Sequence, residues 1–201
     1  QLYNQERTDI TRTFTSFHNR KDGKLGTWFV EGNTIWIEYY QPPATSENPR
    51  LQLSSVIHGY RLGRVNAAVN ASRGINDSGD CNYDVNCSIG NDFDDKKDLV
   101  KKAVALLNLG NGYLCSAALV NNTKNDKTPF LLTANHCLTN SSPALWSVRF
   151  NWVSPAPVCG TSGDSGNVQT NFTISGASLK ANNSKSDFAL VQLFEQIPDS
   201  W

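Results

Sequence analysis

Short apolar runs that alternate with polar residues mark the first third of the chain. The stretches TRTFTSF (11–17), NTIWIEYY (33–40) and RLQLSSVIHGYRL (50–62) each show this alternation. A period of two predicts half-buried β-strands. The residues predicted to share a face are Ile35, Ile37 and Tyr39, opposite Trp36, Glu38 and Tyr40, while Leu51, Leu53 and Val56 are predicted to point inward.

The stretch DDKKDLVKKAVALLNLGNGYLCSAALV carries two conflicting patterns. Apolar residues spaced three and four apart, from Leu99 to Leu107, indicate a helix. The Gly-Asn-Gly turn at 110–112, with an apolar run on each side, indicates a β-hairpin instead. We favour the hairpin, with strands near 103–108 and 113–120.

The remaining apolar runs are short and spaced at roughly regular intervals, as in an all-β barrel. They are PFLLTANHCL, SVRFNWV, NFTISGASLKA and DFALVQL. Between the two β-rich parts lies a small, polar, glycine-bearing stretch that reads as a linker. We therefore predict an all-β protein with a β domain at 1–66, a linker at 67–80 and a β-barrel at 81–201.

The charge of the chain excludes two classes of partner. Eighteen basic and 18 acidic side chains leave no net charge, so nothing steers the protein toward nucleic acid or an anionic membrane. No apolar run approaches the ~18 residues that span a bilayer. The sequence therefore predicts a protein that binds neither nucleic acid nor membranes.

The five cysteines, all after residue 80, favour disulfides over a metal site. No two of them show the C-x2-C spacing of a structural zinc site. Disulfides imply an oxidising compartment, so we expect a secreted protein. Choosing the unpaired cysteine five ways and pairing the others three ways leaves 15 arrangements open. The odd cysteine implies a partner outside this chain.

Among the three histidines, His136 is the candidate for chemistry. It follows an apolar strand and stands beside Cys137, whereas His18 lies in a charged turn and His58 at a predicted strand end. A strand end braced by a disulfide would hold a general base in one orientation. Asp187, at the mouth of another apolar strand, could fix the imidazole tautomer. Taken alone, each residue is better explained as structural, with Asp187 closing a turn, and only the pair favours chemistry.

Together, CSAALVNNTKNDKTPFLLTANHC and SDFALVQL resemble the trypsin-like serine proteases. The preceding SGDCNYDVNCSIGND is similar, more narrowly, to the bacterial lysyl endopeptidase branch, and the likeness spans residues 79 to 201. Residues 1–66 resemble, more loosely, the pro-regions of secreted members. The resemblance implies that 81–201 is the first barrel of a double-barrel protease, with no cofactor and no metal.

The resemblance also assigns roles. It implies that His136 is the general base and Asp187 its orienting carboxylate, and that the substrates are proteins or peptides cleaved after Lys or Arg. It implies the disulfides Cys115–Cys137 and Cys87–Cys159. Cys81 would bond a cysteine in a second barrel beyond residue 201, which accounts for the odd thiol.

Two departures accompany the resemblance. The family's Cys-x-Gly-[Ser/Thr]-Leu reads Cys-Ser-Ala-Ala-Leu at 115–119, and Asn135 stands where many animal members have Ala. Neither change removes a catalytic group.

Ser165 raises the question of the nucleophile. Its segment GDSGN is one letter from GDSGG, which carries the nucleophilic serine in trypsin-like proteases. The family order is His, Asp, Ser, however, and Ser165 precedes Asp187 in a long polar loop. We therefore expect the nucleophile and the specificity pocket to lie beyond residue 201, so that this chain alone is inactive.

Three further expectations follow from the resemblance. The stretch 64–80, with Arg64 and Arg73, is a candidate site of activation cleavage. Residues 1–66 could act as a folded pro-region that inhibits its own protease. The competing class is a trypsin-like fold that has lost catalysis and serves as a secreted binding or adhesion module.

Overall fold

A computed structural model describes residues 1–46, 48–58, 83–88, 94–157, 159–160 and 172–201. The predicted linker, Cys81 and Ser165 lie outside the described residues, so the predicted domain boundaries stay predictions. No helix in the described ranges is long and apolar enough to cross a bilayer.

The secondary structure is mostly strand, which confirms the all-β prediction. The strands and the α-helix of the described residues are β1 (Leu2–Asn4), β2 (Ile35–Ile37), α1 (Asp94–Val100), β3 (Val104–Asn108), β4 (Leu114–Val120), β5 (Phe130–Thr133), β6 (Ser147–Phe150), β7 (Thr173–Ser175), β8 (Ala177–Asn183) and β9 (Phe188–Leu193). Single 3-10 turns cover Ser16–His18, Lys101–Ala103, Asn135–Leu138 and Pro143–Leu145.

The structure decides the conflicting stretch in favour of the hairpin. Strands β3 and β4 pair antiparallel with Leu107 opposite Cys115, so the hairpin prediction is confirmed. Gly110 and Gly112 have φ of 71° and 91°, a conformation that glycine adopts without steric cost. The helical reading of Leu99 to Leu107 is wrong beyond Val100, because α1 ends there and the remaining residues lie in the 3-10 turn Lys101–Ala103 and in β3.

The main sheet curls on itself at Gly176. Its strand order is β7-β6-β3-β4-β5-β9-β8, so β7 and β8 lie at opposite edges although one residue separates them in sequence. The amide of Gly176 donates to Trp146 O at 2.7 Å, and its carbonyl accepts from Phe194 N at 3.2 Å. With φ of 80°, Gly176 turns the chain from one edge to the other. The run NFTISGASLKA is thus two strands bent at a corner.

The core fills the inside of this curled sheet. Strand alternation sends one face of each strand inward, and the inward side chains are apolar and almost fully buried. They include Leu107, Leu131, Val148, Ile174 and Val191, with Trp146 packed among them. The strands predicted within 129–138, 147–153 and 187–193 are confirmed as β5, β6 and β9, but β5 and β6 are shorter than predicted, and residues 135–138 form a 3-10 turn instead.

Two predicted strands of the first third are wrong. Residues 11–17 form no strand and end in the 3-10 turn Ser16–His18. Residues 50–58, the described part of the third run, form no strand either, and Leu51 and Leu53 are 70% and 69% exposed. Only β2 is confirmed; it pairs with β1, and its side chains are exposed on both faces. Alternation predicted these strands, but no neighbouring strand pairs with them among the described residues.

Candidate active site

The pairing of β5 with β9 brings His136 and Asp187 to one edge of the sheet. The two strands are antiparallel, with Thr133 opposite Ala189. The end of β5 therefore lies beside the start of β9. His136 follows β5 in the 3-10 turn Asn135–Leu138, and Asp187 immediately precedes β9. Residues that are 51 apart in sequence are thereby neighbours.

Asp187 contacts His136 through both carboxylate oxygens. Oδ2 lies 2.8 Å from the imidazole Nδ1, and Oδ1 accepts the backbone N–H of His136 at 2.9 Å. An ionised carboxylate only accepts hydrogen bonds, so Nδ1 carries the proton and donates it. In the neutral ring Nε2 then holds a free lone pair. Two contacts from one carboxylate fix both the tautomer and the direction of the ring.

The His136 contacts also keep Asp187 charged. The hydrogen bonds from the His136 side chain and backbone hold the pKa of Asp187 below its ordinary value. The side chains of His136 and Asp187 are 69% and 50% exposed. In the part of the chain that the structure describes, no group hydrogen-bonds Nε2. The pair is therefore a base with its proton-accepting nitrogen open to an incoming group.

The turn before β9 is built to present Asp187. Asn183 Oδ1 accepts the backbone amides of Lys185 and Ser186 at 2.8 and 3.1 Å. Such an Asx turn reverses the chain tightly. Asp187 then adopts φ of 51°, a left-handed conformation that Asp and Asn tolerate better than other side chains. The carboxylate is thus aimed by its backbone as well as by its hydrogen bonds.

The described residues form two disulfides, one of which braces the turn that carries His136. Cys137, next to His136 and 2% exposed, bonds Cys115 of β4, and Cys87 bonds Cys159. Both pairings implied by the sequence resemblance are confirmed. Two disulfides fit an extracellular protein.

One group of potential metal ligands occurs in the described residues, and it is not a metal site. Cys115, His136 and Cys137 place a sulfur, a ring nitrogen and a sulfur within 4.8 Å of one another. Because both sulfurs form one disulfide, neither offers a thiolate to an ion.

Asn182 is a contributor to the site that the sequence did not reveal. Its Nδ2 donates to Asn135 Oδ1 at 2.7 Å, and the backbone N–H of Asn135 donates to Asp187 O at 3.2 Å. Asn135 therefore ties the histidine turn to both β8 and the aspartate turn. In the sequence, Asn135 stands out only as a departure from the family pattern, and Asn182 is an exposed polar residue like many others in the chain.

We expect Asn182→Ala to lower the turnover of a reaction in which His136 takes up a proton roughly 3- to 10-fold, the effect of one exposed neutral hydrogen bond. Stability should change little because Asn182 is exposed. Steady-state kinetics and a thermal melt check this. The matched control is Asn122→Ala, which removes a similar bond to Asp126 at 2.8 Å in a remote turn. Equal kinetics in the two variants would contradict a positioning role for Asn182.

The other candidate residues do not join His136 and Asp187 in the described part of the structure. His18 Nδ1 accepts the backbone N–H of Thr15 at 2.9 Å, which is a structural contact. His58 is exposed. Ser165 and Cys81 lie outside the described residues. Of the sequence candidates that lie in the described residues, only His136 and Asp187 contact each other.

The comparison with known families agrees with this geometry. A family model described as lysyl endopeptidase, C-terminal domain, matches residues 75–201. The match includes the whole curled sheet, both disulfides and the His136–Asp187 pair. The match covers more than half of the chain. The chain therefore belongs to the lysyl endopeptidase C-terminal domain family, a family of proteases with a trypsin-like fold.

Proposed function

We propose that this chain supplies the general base and its orienting carboxylate to a secreted serine endopeptidase that cleaves after Lys or Arg. The observation that carries the proposal is the two-point contact of Asp187 with His136, at 2.8 and 2.9 Å. An imidazole held this way with Nε2 exposed suits proton transfer from a hydroxyl. Family membership supports a peptide-bond substrate, and the two disulfides support secretion.

The mechanism follows from the tautomer. His136 Nε2 takes the proton of a serine hydroxyl as its oxygen bonds the carbonyl carbon of the scissile peptide. The imidazolium that forms donates Nδ1–H to the Asp187 carboxylate, which stabilises its charge. Nε2–H then protonates the leaving amine, and the acyl-enzyme remains. Water, deprotonated by the same Nε2, hydrolyses the ester and restores the serine.

We propose further that the nucleophilic serine comes from sequence outside residues 1–201. The family order of His, Asp and Ser supports this, since Ser165 precedes Asp187 in the chain. In the described residues no serine hydroxyl contacts His136. Cys81 would link this chain covalently to the part that carries the serine.

Labelling with a fluorophosphonate, which bonds covalently to an activated serine, tests this proposal. We expect the full protein to be labelled, with peptide mapping placing the label outside residues 1–201, and Ser165→Ala to label as the parent does. His136→Ala should abolish labelling, since it removes the base.

Each other outcome of the labelling has a definite meaning. A label on Ser165 would overturn the assignment of the nucleophile. No label on a folded full protein would favour the catalytically inactive binding module. Lysyl, arginyl and neutral peptide esters, compared by kcat/KM, then test the preference for a basic residue.

A further inference from the structure

The connection between β4 and β5, residues 121–128, is an exposed loop that carries two lysines. All of its side chains are exposed except those of Asn122 and Thr128, which are partly buried. Exposed loops of polar residues are the places where a protease most readily cuts a folded chain. Lys124 and Lys127 are therefore candidate cleavage points for a protease that prefers lysine.

Lys127 is anchored on both sides of its peptide bond. Its Nζ lies 2.9 Å from Asp199 Oδ1. The next residue, Thr128, donates its backbone N–H to Asp126 Oδ1 at 3.0 Å, and Pro129 follows. The Lys127–Thr128 bond is thus held in the folded loop, and proline fixes the backbone beyond it.

Lys124 lies in the middle of the loop and is restrained much less. Among the described residues, its side chain forms no hydrogen bond and no salt bridge. One backbone hydrogen bond holds the Lys124–Asn125 peptide, from the N–H of Asn125 to Asn122 O at 3.1 Å. Because proteolysis of a folded protein follows the population of the locally opened state, this weakly held bond is cut before its neighbours.

The two remaining lysines of the curled sheet are protected by strand pairing. Lys180 lies inside β8, which pairs with β9. Lys185 lies in the short turn between these two strands, where its N–H donates to Asn183 Oδ1 at 2.8 Å. Either bond becomes accessible only if the β8–β9 hairpin opens, and paired strands open less often than loops. Lys124 is thus the most readily cut lysine between residues 104 and 201.

Asp126 is the residue that keeps the loop closed. Hydrogen bonds from the Thr128 hydroxyl, from Asn122 Nδ2 at 2.8 Å and from the Thr128 backbone converge on its Oδ1. They lower the pKa of Asp126 to about 2, so the carboxylate stays charged at neutral pH. One side chain therefore joins the two ends of the loop and opposes its extension into a protease cleft.

The loop is out of reach of its own catalytic pair. It precedes β5, whereas His136 follows the end of that strand. The four residues Phe130–Thr133 of β5 span roughly 10 Å at the rise of an extended chain. The Lys124–Asn125 bond and the imidazole therefore lie at opposite ends of β5, and one molecule has to cut another.

We propose that the Lys124–Asn125 peptide bond is the first bond of the curled sheet that one molecule of the protease cuts in another, and that the two-piece product stays active. The inference rests on the proposed cleavage after lysine. Hydrolysis adds one water across the bond. The water oxygen bonds the carbonyl carbon of Lys124, which becomes a carboxylate, and the C–N bond breaks, leaving Asn125 with a free amine.

The cut chain remains assembled. The Cys115–Cys137 disulfide lies across the cut, since Cys115 precedes it and Cys137 follows it. Strand β4 stays paired with β3, and β5 with β9. His136 and Asp187 both lie in the piece after the cut, so their contact is unbroken.

Incubating the full protein at a series of concentrations tests this proposal. We expect two pieces on a reducing gel and one species of undivided size without reductant, with Asn125 as the new N-terminus. The fraction cut per minute should rise in proportion to the protein concentration, because each cut requires two molecules to meet. Activity on lysyl peptide esters should stay close to that of the uncut protein.

Variants identify the bond and the residue that guards it. Lys124→Gln should prevent this cut, whereas Lys127→Gln, the matched control in the same loop, should still be cut after Lys124. Asp126→Ala should speed the cut about tenfold, since it removes the acceptor that closes the loop. The His136→Ala protein, given a trace of an added lysine-specific protease, should also be cut first after Lys124.

The outcomes separate this proposal from the proposed function. A protein that hydrolyses lysyl esters but is cut elsewhere in the sheet first, or not at all, would overturn the inference and leave the function standing. A rate independent of concentration, or activity that falls as cut chains accumulate, would also overturn it. A protein without activity would overturn the function and the self-cleavage together, and the added protease would then show only which lysine is most accessible.

Discussion

Asp187→Asn should lower kcat/KM of the full protease on the order of 10⁴-fold. The amide that replaces the carboxylate can still accept the backbone N–H of His136 through its one oxygen. Its NH2 group then faces Nδ1 and makes Nδ1 an acceptor. The ring proton moves to Nε2, which can no longer take a proton from a serine. Steady-state kinetics on lysyl peptide esters measure the loss.

Asparagine is the informative replacement because it preserves the turn. Asp187 has φ of 51°, which Asn tolerates nearly as well as Asp, whereas Ala at this position would add strain. The thermal melt should therefore match that of the parent. Asp199→Asn is the matched control, since Asp199 is an exposed carboxylate that bonds Lys127 at 2.9 Å away from the site. An Asp187→Asn enzyme with more than about a tenth of the parent activity would contradict the role of Asp187.

The pH dependence of the parent follows from the same contacts. Hydrogen bonds from the His136 side chain and backbone lower the pKa of Asp187 below the ordinary value of an aspartate. A carboxyl whose pKa is lower in the folded state favours folding above its unfolded pKa, and this contribution is lost as pH falls through the folded value. Asp187 therefore stays charged from pH 8 down to about 5. A fall in activity within that range must come from the titration of another group.

The alternation of apolar and polar residues predicted the strands of the main sheet correctly and those of the first third of the chain poorly. Strands β3 to β6 and β9 pack an apolar face on one core, so their alternation had a direct structural cause. The stretch 11–17 alternates as clearly but lies against β7 through Arg12, without a strand of its own. Alternation predicts a strand with one covered face, but β2 and residues 50–58 alternate and are exposed, so the pattern alone establishes neither a partner strand nor burial.

The sequence was enough to predict the two residues that carry the chemistry of the candidate site. It was not enough to predict the hydrogen bonds that position them. His136 and Asp187 are chemically distinctive and sit at strand ends, where antiparallel pairing can bring them together. Asn182 meets Asn135 only because Gly176 bends the chain across to the far edge of the sheet. A lone glycine in a strand signals a bend but not the strands that the bend will join. The hydrogen bond between Asn182 and Asn135 could therefore be identified only from the three-dimensional structure.

Replacing both cysteines of the Cys115–Cys137 disulfide by alanine should lower the free energy of unfolding by about 3 kcal/mol. This value follows from the loop-entropy relation for the 22-residue separation. Activity should fall more than stability accounts for, on the order of 100-fold at a temperature where the variant is folded. Cys137 lies in the same 3-10 turn as His136, so freeing it lets the imidazole move relative to Asp187. Denaturant unfolding and kinetics on the same samples measure both effects.

The second disulfide provides the control that separates stability from positioning. Cys87 and Cys159 are 72 residues apart, so the same relation gives about 4 kcal/mol for their removal, slightly more than for the first pair. Neither cysteine is adjacent in sequence to His136 or Asp187, and we expect the folded Cys87→Ala/Cys159→Ala variant to keep activity within about twofold of the parent. Greater destabilisation with less loss of activity would show that the Cys115–Cys137 bond positions the base. Equal losses of activity in the two variants would mean instead that both disulfides act only through global stability.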